Sequence, residues 1–130
     1  FMNKIIVEVS IGELLDKISI LEIKQGKIKD PEKLKFINNE HSILKSQLEN
    51  NVKSDEKLNN LYQSLKEINA KLWVIEDDKR QCEKDKDFGE KFIKLSRDVH
   101  FLNDDRAKIK LEINNHTGSV IKEIKEYTNY

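Results

Sequence analysis

The sequence predicts a mainly α protein: four helices in an elongated antiparallel bundle of hairpins, with a small two-stranded β ribbon built from the N- and C-terminal segments. Three observations point there. Apolar residues recur three and four positions apart over most of the 130 residues. Helix-starting and helix-stopping residues fall between those periodic runs, and only one proline and four glycines punctuate the chain. The two ends alone switch to an alternating, strand-like pattern.

The start, KIIVEVS, alternates Ile5, Val7 and Val9 with Ile6 and Glu8, so residues 4–9 are expected as a strand. Ser10, with Glu13 three places on, has the signature of a capping box. Helix 1 is expected over 11–28, with Leu14, Leu15, Ile18 and Leu21 on its buried side. Ile20 and Ile23 add a second apolar flank, so this helix should be covered on more than one side. Asp30 and Pro31 suit a cap and a first helical position, opening helix 2 over 31–50 on a seam of Leu34, Ile37, His41, Leu44 and Leu48. Asn50 and Asn51 break it, and Ser54 reads as the next cap.

Helix 3, 55–84, keeps a heptad of Leu58, Leu61, Leu65, Ile68, Leu72 and Ile75, with Lys79 and Cys82 further along the same seam. The tetrapeptide DFGE, Asp87 to Glu90, reads as a second capping box. A kinase would use the first three letters to hold a metal, but no kinase sequence surrounds them here. Helix 4, 88–116, runs through Phe92, Leu95, Val99, Leu102, Arg106, Ile109 and Ile113 to a glycine cap at Gly118. The tail SVIKEIKEY, 119–127, reads as a strand or a last helical turn. An isolated strand leaves its edges unpaired, so the simplest partner for residues 4–9 is this tail, and pairing across a dimer is the alternative.

The chain has the length of a single domain, 1–130. Lysine and arginine number 24 and so do aspartate and glutamate, so no global field favours nucleic acid or an acidic membrane as a partner. Cys82 is the single cysteine, which excludes an internal disulfide and fits a reducing, cytoplasmic setting. No run approaches the ~20 apolar residues of a membrane span, and no charged-then-apolar leader opens the chain. Phe1 ahead of Met2 reads as an added residue before a native start. Helices 3 and 4, about 30 residues each, would extend roughly 45 Å, more than a compact bundle of this size needs. The surplus is expected to pack on a second protomer, making a homodimer joined by coiled-coil contacts.

Two stretches interrupt the apolar rhythm with polar groups: LWVIEDDKR, Leu72 to Arg80, and HFLNDDRAK, His100 to Lys108. Arginine is scarce here, only Arg80, Arg97 and Arg106, and two of the three lie in these stretches. A planar five-donor fork is what lysine cannot supply. With helices 3 and 4 antiparallel, Asn69 faces Asn103, Arg106 lies a turn beyond, Glu76 lies near Ser96 and His100, and Arg80 lies near Phe92. The candidate strip is therefore Asn69, Trp73, Glu76, Arg80, His100, Asn103 and Arg106, with Lys17, Lys24 and Lys110 as further candidates. Two readings fit it. In the first, interior charges pair with residues of helices 1 and 2 and fix helix register. In the second, the strip is a cleft for a small anionic metabolite, a nucleotide or sugar phosphate, with an arginine fork for the anion and Trp73 as an apolar wall. No catalytic residue, cofactor or metal site is assigned, because Glu76, Asp77 and Asp78 are consecutive and splay around a helix. His41 reads as a satisfied seam histidine, and His116 complements a helix C-terminus.

The blocks VSIGELLDKISILEIK, KLWVIEDDKR, DFGEKFIKLSRDVHFLNDDRAKIKLEIN and IKEIKEY resemble a family of short bacterial and phage proteins known only as a domain of unknown function. The resemblance covers nearly the whole chain and implies a complete single-domain member. It implies distinctive residues at Asp16, Lys17, Lys24, Trp73, Glu76, Asp77, Arg80, Asn103, Asp105, Arg106 and Lys110, and implies no activity.

Overall fold

The computed structural model describes residues 3–130; the reading of Phe1 and Met2 lies outside the described residues. Four helices follow one another: α1 Ile11–Lys27, α2 Pro31–Asn51, α3 Glu56–Asp85 and α4 Glu90–Thr117. Their ends follow from local chemistry. Ser10 Oγ accepts from the Glu13 amide at 3.0 Å and starts α1. Asp30 accepts from the Glu32 amide at 3.1 Å, with Pro31 in the first turn of α2. Gly118, at φ 67°, takes the left-handed position that ends α4.

Two helix starts differ from the sequence reading. Asp55 caps α3 in place of Ser54, its carboxylate accepting from the Leu58 amide at 2.7 Å while the Ser54 hydroxyl donates to Asn59. A carboxylate at a helix N-terminus gains from the dipole as well as from the bond, so it displaces a neutral hydroxyl. Asp87 makes no capping box. It accepts from the Gly89 amide two residues on, at 3.1 Å, and this tight turn delays α4 until Glu90.

α3 and α4 form one long antiparallel hairpin. His116 meets Asp55 at 2.8 Å at its base, and Lys79 sits 5.8 Å over the Phe92 ring near its tip, so one register holds along its length. α1 packs on α2, α3 and α4, whereas the α2 backbone approaches that of α1 alone. The path of α1 is oblique. Gly12 lies on α4 beside Asn114, Asp16 lies between Arg106 of α4 and Asn69 of α3, and Glu22 reaches Tyr62 and Lys66 of α3. The apolar core sits where this crossing meets the hairpin base: Leu15, Leu58, Leu65 and Ile113, with Leu48 and Val52 closing it from the α2 end. Among the described residues, no hydrogen bond or ion pair from α1 or α2 reaches α3 beyond Asn69 or α4 before Arg106. Among the described residues, the polar contacts of the hairpin tip are therefore made within α3 and α4.

The expected β ribbon is not there: no strand occurs among the described residues. The termini do begin side by side, since the Ile11 amide donates to Ser119 Oγ at 3.1 Å. They then part. Glu123 is drawn to Lys110 at 3.1 Å and Tyr130 donates to Asp104, so the tail turns back along α4. The N-terminal segment stays in solvent, with Ile5 91% exposed. Alternation alone cannot make a ladder when the only nearby partner is claimed by ion pairs.

The accessible surface is 9708 Å². A compact monomer of this mass would show about 7100 Å². No helix of the described residues is long and apolar enough to cross a membrane.

Candidate functional site

The polar centre of the molecule is Asp16, on α1, only 2% exposed. Arg106 donates Nε to its Oδ1 at 2.9 Å and Nη2 to its Oδ2 at 2.5 Å, a two-pronged pairing. Asn69 Nδ2 donates to the same Oδ1 at 2.9 Å and to Ser19 Oγ at 2.8 Å, while Ser19 donates to the Asp16 carbonyl at 2.7 Å. The third guanidinium nitrogen of Arg106, Nη1, donates to Asn103 at 3.3 Å. One turn toward the base, buried Lys110 donates to Glu13 at 2.7 Å and to Glu123 of the tail. Below it, Asn114 accepts from the Gly12 amide at 2.7 Å. The network ties α1, α3, α4 and the tail together, and no buried side-chain nitrogen or oxygen among the described residues lacks a partner.

Electrostatics follow the geometry. Burial pushes the Asp16 carboxyl up, but hydrogen bonds from Arg106 and Asn69 and the charges of Arg106 and Lys110 outweigh it and hold the group below the usual aspartate value. The hydrogen bond to Asp16 raises Arg106 in return, against the effect of its own burial. Burial lowers Lys110, and its bonds to Glu13 and Glu123 more than restore it. All three groups are thus charged across the neutral range.

A second, smaller cluster lies on the other flank of α1. Glu22 accepts from the Tyr62 hydroxyl and from Lys66 at 3.3 Å, and His41 Nε2 lies 3.0 Å from its other oxygen. Burial again pushes the carboxyl up, and these three partners bring it below its ordinary value. The seam histidine of α2 is held by this carboxylate.

The strip read from sequence is thereby divided. Asn69, Asn103, Arg106 and Lys110 are gathered into the network around Asp16. Lys17 is exposed, 3.9 Å from Glu13. Lys24 and Trp73 are half-buried, and their side chains make no hydrogen bond or ion pair among the described residues. The same holds for Glu76, also half-buried, and for Arg80, which is exposed. His100 does not meet Glu76; it stacks with Phe101 and Tyr130, ring centroids 4.2 and 5.3 Å away. The reason is the oblique path of α1, which covers the hairpin only at its base and leaves the upper half of the strip without a facing helix. Glu76, Asp77 and Asp78 splay as their spacing requires, and among the described residues no three His, Cys, Asp or Glu side chains converge.

Sequence reasoning left the hub itself, Asp16, and its supports Ser19, Glu13 and Asn114 off the strip. A signal for two of them was present. Asp16, Ser19, Ile20 and Ile23 follow one another at helical spacing, so the second apolar flank of α1 continues into a polar pair that must also be buried.

Fold and site together define a helical protein whose crossing helix is locked onto a long hairpin by an internal aspartate–arginine pair. The chain belongs to a family described as a family of unknown function, DUF6165, whose model matches residues 5–130. Neither a curated protein nor a solved structure matches it.

Proposed function

We propose that this protein is a cytoplasmic helical interaction or scaffolding protein that works as a homodimer joined by coiled-coil packing, with its buried charges serving to fix helix register. One observation carries the reading: the arginine best placed to hold an anion, Arg106, is already held by both oxygens of Asp16. A nucleotide or sugar phosphate would have to displace an internal carboxylate from its partner, and the other candidate arginine, Arg80, lies about three turns beyond Asn69 on an exposed face. The length of the α3–α4 hairpin, with Val74, Ile93 and Phe101 exposed along it, supports the dimeric form. The single buried cysteine, Cys82, suits a reducing compartment.

Light scattering coupled to size exclusion tests the assembly, with two chains of 15.3 kDa expected per particle. A mass of one chain at every concentration overturns the homodimer. Thermal unfolding with inorganic phosphate and ATP tests the anion reading. A ligand at about a hundred times its dissociation constant would stabilise by about 2.7 kcal/mol, and no such shift is expected. A saturable shift in wild type that Arg106→Lys abolishes would instead favour the metabolite.

A further inference from the structure

The face of α3 that α1 covers carries Leu58, Tyr62, Leu65 and Asn69. At 100° per residue, Ala70, Lys71 and Val74 point to the opposite side of that helix. There they line a groove of about 620 Å³ with Asp98, Phe101 and Leu102 of α4. Its floor is apolar and part open: Val74 is 48% and Phe101 39% exposed, with the Tyr130 ring edge-on to Phe101 at 5.4 Å on the side away from α3. α2 cannot cover it, because its backbone approaches α1 alone. Below the groove the same side of α3 continues through Leu61, Ser64 and Asn60 to the hairpin base.

We propose that this back face of the α3–α4 hairpin is where a second copy of the chain docks, about a two-fold axis along the groove between Val74 and Phe101. The inference rests on the homodimer reading above and names its surface. Two features select a second copy as the occupant. The first is charge. The groove has one cation, Lys71, on its α3 wall and one anion, Asp98, on its α4 wall, where Lys94 of the same helix holds it at 2.8 Å across an exposed i,i+4 pair. A two-fold axis running along the groove between the walls sets Lys71 of each copy against Asp98 of the other, where it adds to the weak, exposed Lys94–Asp98 pair. Equal numbers of basic and acidic residues, 24 each, leave no net repulsion to overcome.

The second feature is area. α3 has 30 residues and α4 has 28. A two-helix face of that length measures roughly 45 by 20 Å, about 900 Å², close to the ~800 Å² per partner that a stable interface buries.

Sedimentation velocity over a concentration series, with helicity checked by circular dichroism, tests the placement. Val74→Glu and Phe101→Glu each put a charge into the apolar floor without touching the Asp16 network. Both are expected to weaken dimerisation by roughly thirtyfold or more while helicity stays at the wild-type level. Lys71→Glu and Asp98→Lys alone should each weaken the dimer several-fold, and combined they should restore it toward wild type. If the dimer survives both floor variants, or separates when residues 1–9 are removed but not when the floor is charged, the placement is wrong and the homodimer stands. A wild-type monomer at all concentrations overturns both.

Discussion

Two glycines in one helix have opposite tasks. A Cβ added at Gly12 would lie 2.6 Å from the Lys110 carbonyl oxygen and 2.9 Å from Asn114 Oδ1, whereas one at Gly26 would meet nothing within 4 Å. Helix propensity favours alanine at both positions. Gly12→Ala should nevertheless destabilise by about 2–3 kcal/mol, because α1 must be pushed away from α4 backbone and lose the Gly12–Asn114 bond. Gly26→Ala should stabilise by about 0.5 kcal/mol. Urea unfolding of the two variants checks the sign of each. The carboxylates give a second test at this scale. Asp16 and Glu22 both sit below their ordinary values in the folded chain. The unfolded chain therefore binds more protons in the acid range, so stability is fully present above the ordinary carboxylate values and falls as pH drops through and below about 4. A melting temperature that holds from pH 7 down to pH 3 would show that these carboxylates contribute nothing.

Among the elements, α1 and α2 are the extremes. α1 buries seven residues, including Leu15, Asp16, Ile18 and Ser19, while α2 buries Ile37 alone. α2 leans on one neighbour and presents Phe36 and Ile43 to solvent. Its amides should exchange with solvent fastest of the four helices and those of α1 slowest, a ranking that hydrogen exchange followed by mass spectrometry reads directly. Equal protection of α1 and α2 would contradict it.

The same elements show what the sequence could and could not reveal. Helix ends were legible where one local group decides them, as with Ser10, Asp30 with Pro31, and Gly118. They were misread where two groups compete within one or two positions, Ser54 against Asp55, or an Asx turn at Asp87 against a cap. Arg106 stood out because a guanidinium in an apolar phase is conspicuous from its own helix. Its partner did not, because Asp16 is buried only through the three-way packing of α1, and no single helix phase encodes that. The terminal strands were misread for a related reason: KIIVEVS has the pattern of a strand but depends on a partner, and Glu123 and Tyr130 take the tail elsewhere.

At the scale of the whole molecule, the inner and outer faces of one hairpin divide the work. The inner face, at its base, receives α1 and closes its charges on Asp16, which leaves nothing buried unsatisfied among the described residues. The outer face and the upper half of the hairpin stay open, with Trp73, Glu76 and Arg80 along the tip. Replacing a buried ion pair by apolar groups is often neutral, whereas removing one partner is not, so such a pair acts chiefly against wrong arrangements. We propose that here it favours the observed crossing of α1 over crossings shifted by a turn.

A double-mutant cycle on Asp16 and Arg106, read by urea unfolding at one fixed protein concentration, tests this most directly. Asp16→Ala and Arg106→Ala should each cost about 3 kcal/mol, since each strands the other group, and the double variant should lose little more than either alone. The resulting coupling is expected near 2 kcal/mol or above. Losses that simply add, with coupling below about 0.5 kcal/mol, would mean that Arg106 is not satisfied by Asp16 and that its fork is free for another partner.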